Sequence, residues 1–220
     1  MTASCPGFAT YQNLPNGQVQ VNGTLPVFTS SVRIDPLLVA WDKYGSAIVH
    51  ASREFDVPVP WLVGIMMAES KGNARACSPC SICRSELCAS GAGMRCCAFG
   101  LMQFIEPTAQ SYGVTPTQLV DNPALSLLVA AELVSDLSEK VGYDLVRISA
   151  AYNGGLNSCG KAGTTFGWYT NGDYPMVVAQ YANTFVNLGL PVPGDRSSIA
   201  AAFFATVGVG LAAAIYTGRL

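Results

Sequence analysis

The sequence predicts a mainly α fold, a helical domain followed by an apolar helix at the C-terminus. Three observations carry this. Apolar residues recur at helical spacing from about residue 36 to residue 188, period-two alternation is scarce, and residues 197–217 form a run without charge. The chain has 220 residues, half of them apolar and 12% charged, which suits one globular domain with additions.

Residues 1–34 are rich in Gly, Pro, Asn, Thr and Ser, with a short alternating piece at Gln18-Val19-Gln20-Val21. They read as an extended arm or a weak hairpin. Asp35-Pro36 is expected to open the first helix, as N-cap and first helical proline. Leu37, Trp41, Tyr44, Ile48, Ala51 and Phe55 then mark one stripe. The Pro58-Val59-Pro60 stretch breaks that helix, and a second runs from Pro60 through Trp61, Leu62, Ile65 and Met66 to Glu69. Segment 71–99 is expected to be loop-like. Asn122-Pro123 opens another helix with Leu127, Ala130, Val134, Leu137 and Val141 on one side. A further helix runs from about Asp144 to Asn153, where Gly154-Gly155 stops it. Residues 156–175 read as a glycine-rich loop and 175–188 as the last helix before a Pro191-to-Gly194 linker.

The run from Ser197 to Thr217 lies between Arg196 and Arg219. Its length matches the roughly 20 residues that a helix needs to cross a bilayer. Small residues recur four apart, as in Gly208 and Ala212, a spacing that lets membrane helices approach closely. A transmembrane helix over 197–217 is the expectation, with a buried alanine-rich core helix as the alternative. Residues 1–18 have neither the basic nor the apolar region of a secretory signal. With 12 basic and 14 acidic residues and no basic stripe, nucleic acid is excluded as a partner.

Six of the eight cysteines, Cys77, Cys80, Cys83, Cys88, Cys96 and Cys97, fall within 21 positions; Cys5 and Cys159 stand apart. Thiols two residues apart suit tetrahedral zinc, and a dense cluster equally suits disulfides in an oxidising compartment. Eight cysteines allow on the order of 100 pairings, so connectivity stays open.

Glu69 ends an apolar helix, one turn beyond Ile65 and two beyond Trp61. A carboxyl there is desolvated, its pKa rises, and it stays protonated near neutrality as a glycosidase acid must. Three words stand in order around it: Ala68-Glu69-Ser70, Gly100-Leu101-Met102-Gln103 and Ala151-Tyr152-Asn153-Gly154-Gly155. With them the chain resembles the lytic-transglycosylase (soluble-lytic-transglycosylase-like) family, whose fold is similar to goose-type lysozyme. The resemblance covers about 36–188, and Thr108-Ala109 and Gly113-Val114 also fall where the family places such residues.

The resemblance implies a lysozyme-like helical domain over 35–190, with 71–99 as a cysteine-rich insertion about twice the family's usual length; the linker at 191–196 and the membrane helix at 197–217 follow from the residues themselves. It implies peptidoglycan as substrate and no cofactor or catalytic metal. Glu69 would be the sole acid/base, cleaving the bond between N-acetylmuramic acid and N-acetylglucosamine with closure of a 1,6-anhydro ring. Gly100 belongs to the family's turn, and Met102 is expected to pack under the site. Gln103 would offer its amide to sugar hydroxyls or acetamides. Tyr152 would hold the catalytic carboxylate, or be a buried tyrosine with a satisfied hydroxyl. Ser70 either orients the glutamate or caps the helix, and Asn153 is a sugar contact or a C-cap. Glu106 stands where the family usually has proline; as a second carboxylate it would favour hydrolysis, and as a surface residue it would start a helix. His50, the one histidine, reads as structural. Two other readings remain open: a muramidase acting on the same bond, and a structural or channel protein built on an inactive scaffold. The terminal run and the absence of a signal lead to the expectation of a membrane-associated virion component, with other virion proteins as partners, that opens the host wall for phage genome entry.

Overall fold

The computed structural model describes residues 11–79, 96–156 and 174–190. The chain divides into two units, Met1–Leu188 and Gly189–Leu220. The first contains, in order, β1 (Tyr11–Asn13), β2 (Val19–Val21), α1 (Ser31–Glu54), α2 (Val59–Ser70), β3 (Cys77–Pro79), β4 (Cys96–Phe99), β5 (Phe104–Ile105), α3 (Glu106–Ser111), α4 (Pro116–Asp121), α5 (Pro123–Val141), α6 (Leu145–Gly154) and α7 (Tyr174–Asn187). Among the described residues no helix is long and apolar enough to cross a membrane. The apolar run 197–217, and Cys80, Cys83 and Cys88, lie outside them.

α2 is the centre. Every residue from Trp61 to Met67 is buried, so this helix presents no polar face, as expected of one enclosed on all sides. α7 packs along it, with α1 and α5 also in contact. Gly64 makes the α2–α7 approach possible: a Cβ there would lie 2.7 Å from the Val178 carbonyl oxygen and 3.1 Å from its Cγ1. Gly64→Ala is therefore expected to push α2 and α7 apart and cost about 1–3 kcal/mol, the range for overpacking. A lowered urea midpoint checks this.

The predicted stripes are found in place except at their last members: Phe55 lies just beyond the end of α1 and Val141 ends α5, and both are only half-buried. Leu37, Trp41, Tyr44, Ile48 and Ala51 of α1 are buried, as are Leu127, Ala130, Val134 and Leu137 of α5. Asn122 caps α5 by accepting from the Leu125 N–H, and Asp144 caps α6 by accepting from the Arg147 N–H. α1 differs at its start. It begins at Ser31, and Pro36 stands inside it rather than at its head. The missing proline N–H leaves only the Val32 carbonyl without its helical partner, and Val32 is 77% exposed, where water can serve it.

The N-terminal residues form the hairpin β1–β2, pairing Tyr11 with Val21 and Asn13 with Val19. Asn183 of α7, fully buried, accepts from the Val19 N–H and donates to the Val19 and Pro26 carbonyls. Gln18 reaches the Asn183 carbonyl and the Asn187 side chain, and Tyr11 Oη donates to Asp144. The arm thus becomes part of the domain through polar contacts that no apolar pattern reveals.

Segment 71–99 is not wholly loop. β3, β4 and β5 form an antiparallel sheet in that order, and residues 80–95 connect β3 to β4. Strands of two to four residues are too short to express an alternation, which is why their sequence carries no strand signal.

Candidate active site

Glu69 sits in the last turn of α2. The helix ends because Lys71 takes the left-handed conformation (φ 56°). Ser70 Oγ accepts from the Gly72 N–H at 3.2 Å and donates to the Met66 carbonyl at 3.4 Å, while Lys71 Nζ donates to the Met67 carbonyl at 2.7 Å. Of the two readings of Ser70, these bonds match the cap. They close the end of the helix and fix the backbone from which the Glu69 side chain leaves.

A cavity of about 250 Å³ opens in front of Glu69. Its wall includes Ser78, Ala98, Gln103, Phe104, Ile105, Thr108, Leu133, Tyr152 and Asn153. The small sheet explains one side. Ser78 pairs with Ala98 and Ala98 with Ile105, so these three form one row across the strands and share a face. The Gly100-to-Gln103 turn joins β4 to β5 beneath that row. Gly100 needs its conformation (φ 73°), which a side chain would strain, and its N–H donates to the Ala76 carbonyl at 2.8 Å. Leu101 and Met102 are fully buried. Met102, expected to pack under the site, is absent from the cavity lining.

Gln103 departs from expectation. It reaches the cavity wall, but its Nε2 donates to the Gly100 carbonyl at 2.8 Å and the Ala76 carbonyl at 3.1 Å. Its Oε1 accepts from Ser78 Oγ at 2.6 Å. Both amide protons are therefore committed to the protein, and what remains for a sugar is one lone pair on Oε1. The amide braces the turn against β3 because its own backbone (φ 50°) folds the side chain back over the loop.

Tyr152 also departs. Its hydroxyl donates to the Met102 carbonyl at 2.9 Å, clamping the turn to α6. The tyrosine that holds the glutamate is Tyr174, whose hydroxyl donates to Glu69 Oε1 at 2.6 Å. Of the alternative reading of Tyr152, the satisfied hydroxyl is what the bond shows, while the ring is half-buried and lines the cavity. Asn153 is partly exposed on the cavity wall at the end of α6, where the following Gly155 serves as the cap residue.

Burial pushes the Glu69 carboxyl up to about 7; the Tyr174 hydrogen bond and the Lys71 charge pull it down without offsetting the burial. Burial raises both phenols, Tyr152 and Tyr174, well above the usual tyrosine range, so each remains a donor. The result is one carboxylic acid, held by a neutral phenol and able to give up its proton near neutral pH.

Glu106 is the first residue of α3, where it accepts from Gln110 Nε2. Its neighbours Ile105 and Thr108 reach the cavity wall, but Glu106 is not among the lining residues. Among the described residues, Glu69 is the only carboxylate in that lining. His50 is exposed on α1. Cys77 lies in β3 and is disulfide-bonded, and Cys96 and Cys97 lie in β4.

Sequence reasoning missed Tyr174 and Ser78. Tyr174 follows a glycine-rich stretch with no motif beside it. Ser78 lies within the cysteine cluster, whose spacing drew the reading toward metal and disulfide chemistry.

The family model described as "Transglycosylase SLT domain" matches residues 46–173, more than half of the chain. The match takes in the C-terminal part of α1 from residue 46, all of α2 to α6 and the three-stranded sheet, and it ends one residue before Tyr174. No curated protein matches the chain.

Proposed function

Because the chain belongs to the transglycosylase SLT domain family, which acts on peptidoglycan, we propose that it cleaves the glycan between N-acetylmuramic acid and N-acetylglucosamine as a lytic transglycosylase, with Glu69 as its only acid/base. The observation that carries this is that, among the described residues, one carboxylic acid lines the cavity, raised to about 7 by burial. Paired-carboxylate hydrolysis needs a second carboxyl about 5–10 Å across the bond, and Glu106, the nearest in sequence to the turn, is not on the wall.

In this reading Glu69 donates its proton to the glycosidic oxygen as the bond to the muramic anomeric carbon breaks. The muramic 6-hydroxyl then bonds to that carbon, and its proton returns to the Glu69 carboxylate. The products are a 4-hydroxyl end and a 1,6-anhydro end, with no water consumed. Tyr174 holds the carboxylate throughout. Asn153 and the free lone pair of Gln103 face the sugars, while Ser70, Gly100, Met102 and Tyr152 support the wall. The Cys77-to-Cys97 cluster acts as a disulfide-stapled knob beside the groove. As the finer part of the proposal, the 197–217 run anchors the enzyme to a membrane, and the protein travels with a phage particle to open the wall locally. Absence of the protein from purified particles of its source virus would overturn that last step.

The test is a digest of purified peptidoglycan by the chain, with products identified by mass spectrometry. Ends lighter by one water than reducing ends are expected. Reducing ends alone would assign a hydrolase, and no products from folded protein would favour the inactive scaffold.

A further inference from the structure

The N-terminal hairpin bonds to the three helices that carry the site, and to each of them at the end remote from it. On α2, Trp61 Nε1 donates to the Gly17 carbonyl at 3.2 Å. At the head of α6, the Leu145 N–H donates to Asn13 Oδ1 at 3.1 Å, and Asp144 accepts from Tyr11 Oη at 2.8 Å. On α7 the partner is Asn183. The opposite ends of these helices hold Glu69, Tyr152 with Asn153, and Tyr174. At a helical rise of about 1.5 Å per residue, the hairpin bond and the site residue lie roughly 10–14 Å apart on each helix.

α7 depends on these bonds most. It has no charged residue, and where it crosses α2 the facing groups are Gly64, Val178 and Ala182. Apolar burial is non-directional, so a smooth contact of this kind holds two helices together without fixing how far one slides along the other. Hydrogen bonds are directional. Asn183 is fully buried and commits its whole amide to the arm. Its Oδ1 accepts from the Val19 N–H at 2.7 Å, and its Nδ2 donates to the Val19 carbonyl at 2.8 Å and the Pro26 carbonyl at 2.9 Å. Beside it Thr184 Oγ1 accepts from the Phe28 N–H at 2.9 Å, and Gln18 Nε2 donates to Asn187 Oδ1 at 2.9 Å. Sliding α7 along α2 would break these bonds together and leave buried backbone groups unpaired. It would also act at the site. The Tyr174 hydroxyl stands 2.6 Å from Glu69 Oε1, and about 1 Å of displacement takes it past hydrogen-bond range.

We propose that Asn183 is a positioning residue for the catalytic acid: with the hairpin it sets the register of α7 and so places the Tyr174 hydroxyl on Glu69. The transglycosylase reading enters only in calling Glu69 the acid. The hairpin and Asn183 both lie outside residues 46–173, so the family match assigns them no role.

The experiment reads the ionisation of Glu69, not turnover. The full chain, in non-ionic detergent, is labelled with carbon-13 at its glutamate side-chain carboxyls, and the NMR signals are followed against pH. The Glu69 signal is the one missing from Glu69→Gln. Among the described residues, the titratable groups facing Glu69 are Tyr174 of α7, Tyr152 of α6 and Lys71 just beyond α2. Tyr174→Phe is the reference, since loss of the donor raises the Glu69 midpoint. Asn183→Leu keeps the bulk and removes the amide, and is expected to raise the midpoint toward that reference. Asn183→Leu combined with Tyr174→Phe should titrate where Tyr174→Phe alone does, because one residue acts through the other. Thr184→Val cuts a single bond of the same seat and should move the midpoint the same way; it is read by itself if Asn183→Leu does not fold. Tyr11→Phe loosens the hairpin from α6 and should leave the midpoint at the parent's value. A midpoint unmoved in the folded α7 variants, one raised as much by Tyr11→Phe, or a double variant well above Tyr174→Phe overturns the proposal. No substrate is present, so these outcomes are independent of whether the chain cleaves glycan, which the product analysis decides.

Discussion

Glu69→Gln is expected to abolish glycan cleavage and, above neutral pH, to make the protein more stable. The loss of activity follows from the absence of a proton donor: an amide keeps the shape of the side chain but cannot supply the acid step, whose loss costs roughly 10²–10⁴-fold. The gain in stability follows from linkage. Glu69 sits at about 7 in the folded protein against 4.5 for the free side chain, because burial disfavours its charge. A folded pKa raised in this way gives stability that is fully present below about 4.5 and is lost as pH rises through about 7. The loss is no more than about 3 kcal/mol, and less in practice because the side chain is partly open to the cavity. Gln removes this dependence. Thermal melts of parent and variant should agree more closely at pH 5 than at pH 8, with the variant melting higher at pH 8. Equal melting temperatures at pH 8 would mean that the carboxyl is not held in a desolvating site.

The parts of the fold that could be read from sequence are those with a period or a cap to reveal them. α2, α5 and α6 have long apolar patterns with clear stops, and Asn122 and Asp144 announce their helices through side chains that serve the first turn. The parts that could not be read depend on distance. The hairpin joins the domain through Asn183, more than 160 residues away, and only folding brings the two together. α3 is too short for a periodic signal, and the capping box at Thr115 and Gln118 that opens α4 is small and easily passed over.

The site divides in the same way. The three words contain Glu69, Gln103 and Tyr152, and all three residues line one cavity. The words did not give the hydrogen bonds. Gln103 and Tyr152 are polar and reach the site, yet each directs its donors at a carbonyl of the turn. A turn that buries Leu101 and Met102 exposes backbone carbonyls to an apolar interior, and these must be satisfied by something close at hand. That local demand takes the donors that a sequence reader would assign to substrate.

Tyr174→Phe is expected to lower kcat by on the order of 10-fold to 100-fold, the cost of a misplaced catalytic group, and to move the alkaline limb of kcat/KM upward in pH. The direction comes from the bond itself. The Tyr174 hydroxyl donates to Glu69 and so stabilises the charged carboxylate, pulling its pKa down. Without the donor, burial acts unopposed by that bond, and Glu69 keeps its proton to higher pH. An enzyme that needs the acid form in the free state then loses activity later as pH rises. A structural tyrosine would not do this: its removal lowers activity at every pH and leaves the limb where it was. Tyr152→Phe supplies that contrast, because its hydroxyl serves the Met102 carbonyl and not the carboxylate. It should lower stability by about 1–3 kcal/mol, the cost of an orphaned buried carbonyl, with the limb unmoved. If the two variants instead exchange these behaviours, Tyr152 is the residue that tunes the acid, and α6 rather than α7 sets the pH range of the enzyme.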